Sequence, residues 1–115
     1  MRKTLNPSQL SESANQAIAS FHPDVVSEVE AAVQSNKYVI VGMAQNPVVS
    51  KARKLLDEKN ITYKYIQHGS YFSMWKQRLA IKLWSGWPTF PMVFVDGKLI
   101  GGARELGLLL NANKT

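Results

Sequence analysis

Apolar residues along this chain fall into blocks of helical and strand-like spacing. Over residues 6–21, Leu10, Ala14, Ala17, Ile18 and Phe21 recur three and four positions apart, which is the spacing of one amphipathic helix face. Asn6 followed by Pro7 supplies a helix start, a capping side chain ahead of a residue with no N–H to satisfy. A second start at His22-Pro23-Asp24 opens a helix with Val25, Val26, Val29, Ala32 and Val33 on one face, ending near Ser35-Asn36. Tyr38 to Met43 then runs apolar without alternation, as a central strand covered on both faces does. Gln45-Asn46-Pro47 breaks the run, and a helix follows from Pro47 to about Lys59 with Val48, Val49, Ala52, Leu55 and Leu56 inward.

Thr62–Ile66 reads as a second strand, parallel to the first if the intervening helix is a crossover. After the loop Gln67-His68-Gly69-Ser70, residues 71–84 predict a helix with Phe72, Trp75, Leu79 and Leu83 as its buried stripe. Met74, Arg78 and Lys82 form a neighbouring stripe, and Ser85-Gly86-Trp87-Pro88 ends the helix. Met92–Val95, Asp96-Gly97 and Lys98–Ile100 carry a hairpin signature, because Asp-Gly accepts the positive φ angles of a type I′ turn. Gly101-Gly102 closes the strand. Leu106, Leu109 and Leu110 give a last short helix its buried face, with a frayed tail from Asn111.

The order α-α-β-α-β-α-β-β-α describes an α/β fold of thioredoxin-like type, a four-stranded mixed sheet with helices on both faces. Residues 1–36 form an N-terminal helical extension and residues 37–115 the sheet domain. At 115 residues the chain is one domain with a sizeable core. No apolar run approaches the ~20 residues of a membrane span, and the polar stretch behind Arg2 and Lys3 is no secretory signal. A soluble, cytoplasmic protein that does not engage membranes is the expectation.

Composition then removes chemistry. The chain has 0 cysteines, which excludes disulfides, zinc–thiolate sites, cysteine-ligated clusters and a cysteine nucleophile. His22 and His68 stand alone without clustered carboxylates, so no metal site is expected. The net charge is +6 and favours anionic partners. The basic residues are dispersed, however, and Trp75, Trp84 and Trp87 are spaced for core and rim packing. Nucleic acid is therefore not an expected partner.

Gly86-Trp87-Pro88-Thr89-Phe90-Pro91, Phe94-Val95-Asp96-Gly97 and Ile100-Gly101-Gly102 stand in the order and spacing of the C-terminal half of glutaredoxins. Over about residues 38–110 the chain resembles that family, and the Trp-Pro-Thr-Phe-Pro form is closest to its monothiol branch. Where the family writes Cys-Pro-Tyr-Cys or Cys-Gly-Phe-Ser, this chain writes Asn46-Pro47-Val48-Val49. The nucleophile's position is thus Asn46 and no catalytic residue is assigned. In the family a thiolate sits at a helix N-terminus, where free N–H groups and the macrodipole lower its pKa. Asn46 can accept such an N–H but cannot form a mixed disulfide. It is either a plain N-cap or a polar anchor for a ligand.

The resemblance implies a glutathione-like groove formed by Asn46, Arg78, Thr89, Phe90, Pro91, Gly101 and Gly102. Pro91 matches the family's cis-proline, beside which the Phe90 backbone would pair with an extended thiol peptide. Arg78 matches the basic residue for the glycyl carboxylate of glutathione; as a solvated helix face it would have no such role. Two departures weaken that groove. Ala44 replaces a lysine, and Ala103-Arg104 replaces a polar residue and an aspartate, inverting the charge.

Three readings follow. The first is a non-catalytic binding module related to glutathione-dependent redox homeostasis, with glutathione the implied ligand. The second is a divergent monothiol glutaredoxin, an oxidoreductase or iron–sulfur carrier. The third is a structural protein that uses residues 6–36 to dock a protein partner or form a homo-oligomer.

Overall fold

The computed structural model describes residues 3–70 and 73–112. A 3-10 turn at Pro7–Gln9 precedes α1 (Glu12–Ala19), α2 (Pro23–Ser35), β1 (Tyr38–Gly42), α3 (Pro47–Glu58), β2 (Lys64–Gln67), α4 (Trp75–Ser85), β3 (Met92–Val95), β4 (Lys98–Gly101) and α5 (Ala103–Ala112). The strands form one mixed sheet in the order β2-β1-β3-β4. β1 pairs parallel with β2, Val41 opposite Ile66, and antiparallel with β3, Ile40 opposite Val93. The mixed sheet with helices on both faces is what the element order predicts.

Alternation along β1 divides the core in two. Val39 and Val41 point to one face, where α2 and α4 bring Val25, Val29, Ala32, Ala80 and Ile81. Ile40 points to the other, where α3 and α5 bring Ala52, Leu56, Leu106 and Leu110. Val39, Ile40 and Val41 are wholly excluded from solvent, which explains the unbroken apolar run. The β3–β4 turn has Asp96 at φ 52° and Gly97 at φ 80°, the positive angles of the predicted hairpin.

Several boundaries and faces differ from expectation. The helix predicted over 6–21 is split. Asn6 caps only the 3-10 turn, Leu10 is extended, and Ser11 starts α1 anew by accepting the Ala14 N–H at 3.1 Å. Two competing capping side chains five residues apart interrupt the helix. No residue of α1 is buried, so its apolar spacing is not a core stripe. β2 begins two residues later than predicted, Val48 is exposed, and α5 continues through Asn111 to Ala112.

The largest difference is on α4, which begins at Trp75; Phe72 lies outside the described residues. Its buried residues are Arg78, Ala80 and Ile81, whereas Trp75, Leu79 and Leu83 face solvent. The helix carries two apolar arcs, and periodicity alone cannot choose which one meets the sheet. Trp84 sits at the rim with its ring 6.0 Å from that of Phe94, and Trp87 packs against the core. Trp75 does neither.

Candidate functional site

The β1–α3 connection delivers the first site residue. Asn46 has extended backbone and its Oδ1 accepts the N–H groups of Val48 at 2.9 Å and Val49 at 3.1 Å. Pro47, with no N–H, occupies the first helical position. The amide therefore fills the positive end of α3 that a thiolate would otherwise face. Asn46 is an N-cap, half-buried, at the mouth of a cavity.

Arg78 comes from α4 and is 7% exposed. Its Nη1 donates to the His68 carbonyl at 3.1 Å and to the Ser73 carbonyl, bracketing the loop after β2. Among the described residues no carboxylate lies within ion-pair distance of it. Among the described residues its acceptors are backbone carbonyls alone, an arrangement that favours an anion close by. The solvated-face reading of Arg78 does not hold.

His68 is not alone. Its Nε2 lies 2.9 Å from Glu28 Oε1 on α2, while the buried Nδ1 has no partner among the described residues. The two are 40 residues apart in sequence, so no local pattern reveals the pair. Among the described residues no three His, Asp or Glu side chains gather as a metal site would require.

A cavity of about 280 Å³ opens between these elements, lined by Met43, Asn46, Arg78, Lys82, Pro88, Thr89 and Phe90. Four of the residues singled out in the sequence thus meet: Asn46, Arg78, Thr89 and Phe90. Lys82 places its ammonium 5.7 Å over the Phe90 ring, so a second cation stands at the wall. The Phe90–Pro91 peptide is cis. Among the described residues the Phe90 backbone takes no hydrogen-bond partner, although its side chain is buried. Met43, Lys82 and Pro88 were not among the predicted groove residues; only Lys82 carried a signal, four positions after Arg78.

Pro91, Gly101 and Gly102, expected in the groove, are not part of this lining. A Cβ on Gly102 would come 3.3 Å from the Pro91 carbonyl, and one on Gly101, at φ 126°, would strike Glu105 Cγ at 2.6 Å. These glycines permit α5 to start tightly against Pro91. Glu105 Oε1 accepts the Gly102 N–H at 2.8 Å. That bond, the residue's own N–H and nearby Arg104 hold the Glu105 carboxyl below its usual range. Arg104 is exposed, 3.6 Å from Glu105 Oε2. Sequence reasoning missed Glu105, although it stands three positions after Gly102, the spacing of a capping box.

Comparison with known proteins gives one consistent likeness. The family model described as Glutaredoxin matches residues 47–100. A glutaredoxin-like protein of Dictyostelium discoideum is 53% identical over 94 residues, covering 82% of this chain and 76% of the relative. A glutaredoxin of Ricinus communis is 30% identical over 77 residues, covering 67% and 76%. Among solved structures, buckwheat glutaredoxin in its complex with glutathione superposes with a TM-score of 0.67 at 24% identity, covering 80% of this chain and 84% of that one. At that identity the likeness is one of fold.

Proposed function

This chain belongs to the glutaredoxin family, and from that premise we propose that it is a non-catalytic member, a module that binds glutathione or a similar thiol peptide without exchanging its sulfur. The observation that carries the reading is Arg78, a buried cation opening onto a cavity and free of any carboxylate among the described residues. A glycyl carboxylate would pair with Arg78, Lys82 would add a second charge, and the free Phe90 backbone would hold the cysteinyl segment in extended form. Asn46 would face the ligand's sulfur with an amide whose oxygen is already occupied by two N–H groups. No bond to sulfur can form there, since the chain has 0 cysteines.

The redox reading has less support. The residues around this cavity do not fit an iron–sulfur cluster, which requires thiolate donors that this chain lacks. Ala44 supplies no second carboxylate contact, and Arg104 turns toward Glu105. Titration of glutathione into the labelled protein, followed by amide NMR shifts, tests the proposal. Saturable shifts at Arg78, Thr89 and Phe90 are expected; their absence removes the small-ligand form. Disulfide-reduction activity above the uncatalysed rate would overturn the non-catalytic assignment.

A further inference from the structure

The outer arc of α4 faces solvent, with the Lys76 ammonium 5.7 Å over the Trp75 ring. Trp75 is 59% exposed, Leu79 36% and Leu83 62%. Four residues apart on one helix, they form a stripe roughly 12 Å long. Leu83 carries the stripe into a concavity of about 300 Å³ whose walls come from Ile18, Phe21, Val26, Ala80, Leu83 and Trp84. This concavity lies on the far side of α4 from the cavity that Arg78 and Lys82 line. A contiguous apolar surface of this kind on a small domain marks an interaction site.

The charges that flank the stripe on α4 itself are basic. Lys76, one residue after Trp75, and Lys82, one before Leu83, stand on opposite sides of the stripe, and α4 contains no Asp or Glu. No charged residue lines the concavity. The chain as a whole carries +6. Pairing with a second copy through this stripe would bring the lysines of one α4 against those of the other, a like-charge arrangement that opposes association. A planar lipid surface presents no side chain to seat in a concavity. An acidic helix with apolar residues at three- and four-residue spacing satisfies both the stripe and its flanks.

We propose that the Trp75-Leu79-Leu83 stripe and the adjoining concavity form a docking surface for an amphipathic, acidic helical segment of another protein, one apolar side chain seated among Phe21, Val26, Ala80 and Trp84. Glutathione binding in the cavity is not required for it. Selection from a phage-displayed library of random peptides about 16 residues long tests the assignment, with Leu83→Glu protein for counter-selection. Enriched peptides should be rich in Asp and Glu with apolar residues at helical spacing, and should shift the amide signals of Trp75, Leu79 and Leu83. Leu83→Glu should weaken them at least ~10-fold and Lys76→Glu about threefold, in line with an anchor and a rim charge. If Leu83→Glu lowers the melting temperature, Trp75→Ser replaces it. No enrichment over the counter-selection, neutral or basic winners, or shifts confined to other surfaces would overturn the proposal. So would sedimentation revealing a dimer closed through the stripe, or binding to anionic vesicles with no peptide enriched.

Discussion

Arg78 donates to the His68 carbonyl at 3.1 Å, and His68 reaches through Nε2 to Glu28 at 2.9 Å. One chain of contacts thereby links α4, the loop after β2 and α2. Arg78 is a brace for the cavity wall as well as its cation. Arg78→Ala would take the donor from the buried His68 carbonyl, at a cost of about 1–3 kcal/mol, and from the part-buried Ser73 carbonyl, at a smaller one. Loss of about 2 kcal/mol or more of unfolding free energy in urea is expected. Arg78→Lys should recover part of it, since an ammonium donates without the planar fork. An unchanged urea midpoint in Arg78→Ala would refute the brace.

Asn46 offers a direct check on the lost chemistry. Asn46→Ala removes the acceptor for two N–H groups and should cost about 0.5–2 kcal/mol. Asn46→Cys should place a thiol where those N–H groups and the α3 macrodipole stabilise a thiolate. Its alkylation should then show a pH midpoint below the ~8.5 of free cysteine. Attack on glutathione disulfide would form a protein–glutathione disulfide and release one glutathione thiolate, visible by mass spectrometry. A midpoint at or above that of free cysteine would mean that the α3 terminus no longer activates.

Glu105 sets a pH dependence. Its carboxyl is held low first by the Gly102 N–H, then by its own N–H and Arg104. A group whose folded pKa is depressed stabilises the fold above its unfolded pKa and loses that contribution as pH falls through the folded value. The melting-temperature gap between the native protein and Glu105→Gln should be present at pH 7 and close below the ordinary glutamate range of about 4.3. A gap that persists at pH 3 would assign the effect to packing.

The two arcs of α4 should respond oppositely. Trp75→Ser and Leu79→Ser alter exposed positions and should change stability by no more than about 0.5 kcal/mol. Ile81 is wholly buried, and Ile81→Ala should cost about 2–5 kcal/mol. Parity between the two sets, measured by urea denaturation, would place the outer arc against a surface within this chain.

By itself the sequence determined the order of the elements from β1 onward and the family. Asn46-Pro47, Asp96-Gly97 and the unbroken Tyr38–Gly42 run act through neighbouring residues, whose capping, turn angles and double-sided burial are local consequences of residue type. The absent cysteine was equally plain. Only the tertiary structure decided which arc of α4 meets the sheet, because both arcs have helical period and the choice depends on what α2 and the sheet can accommodate. It also decided that Arg78 is buried, that Glu28 reaches His68 across 40 residues, and that Glu105 occupies the Gly102 N–H. Each of these rests on packing between segments distant in the chain, which no window of neighbouring residues contains. Arg78 as a cation was readable; its burial and the carbonyls it braces were not.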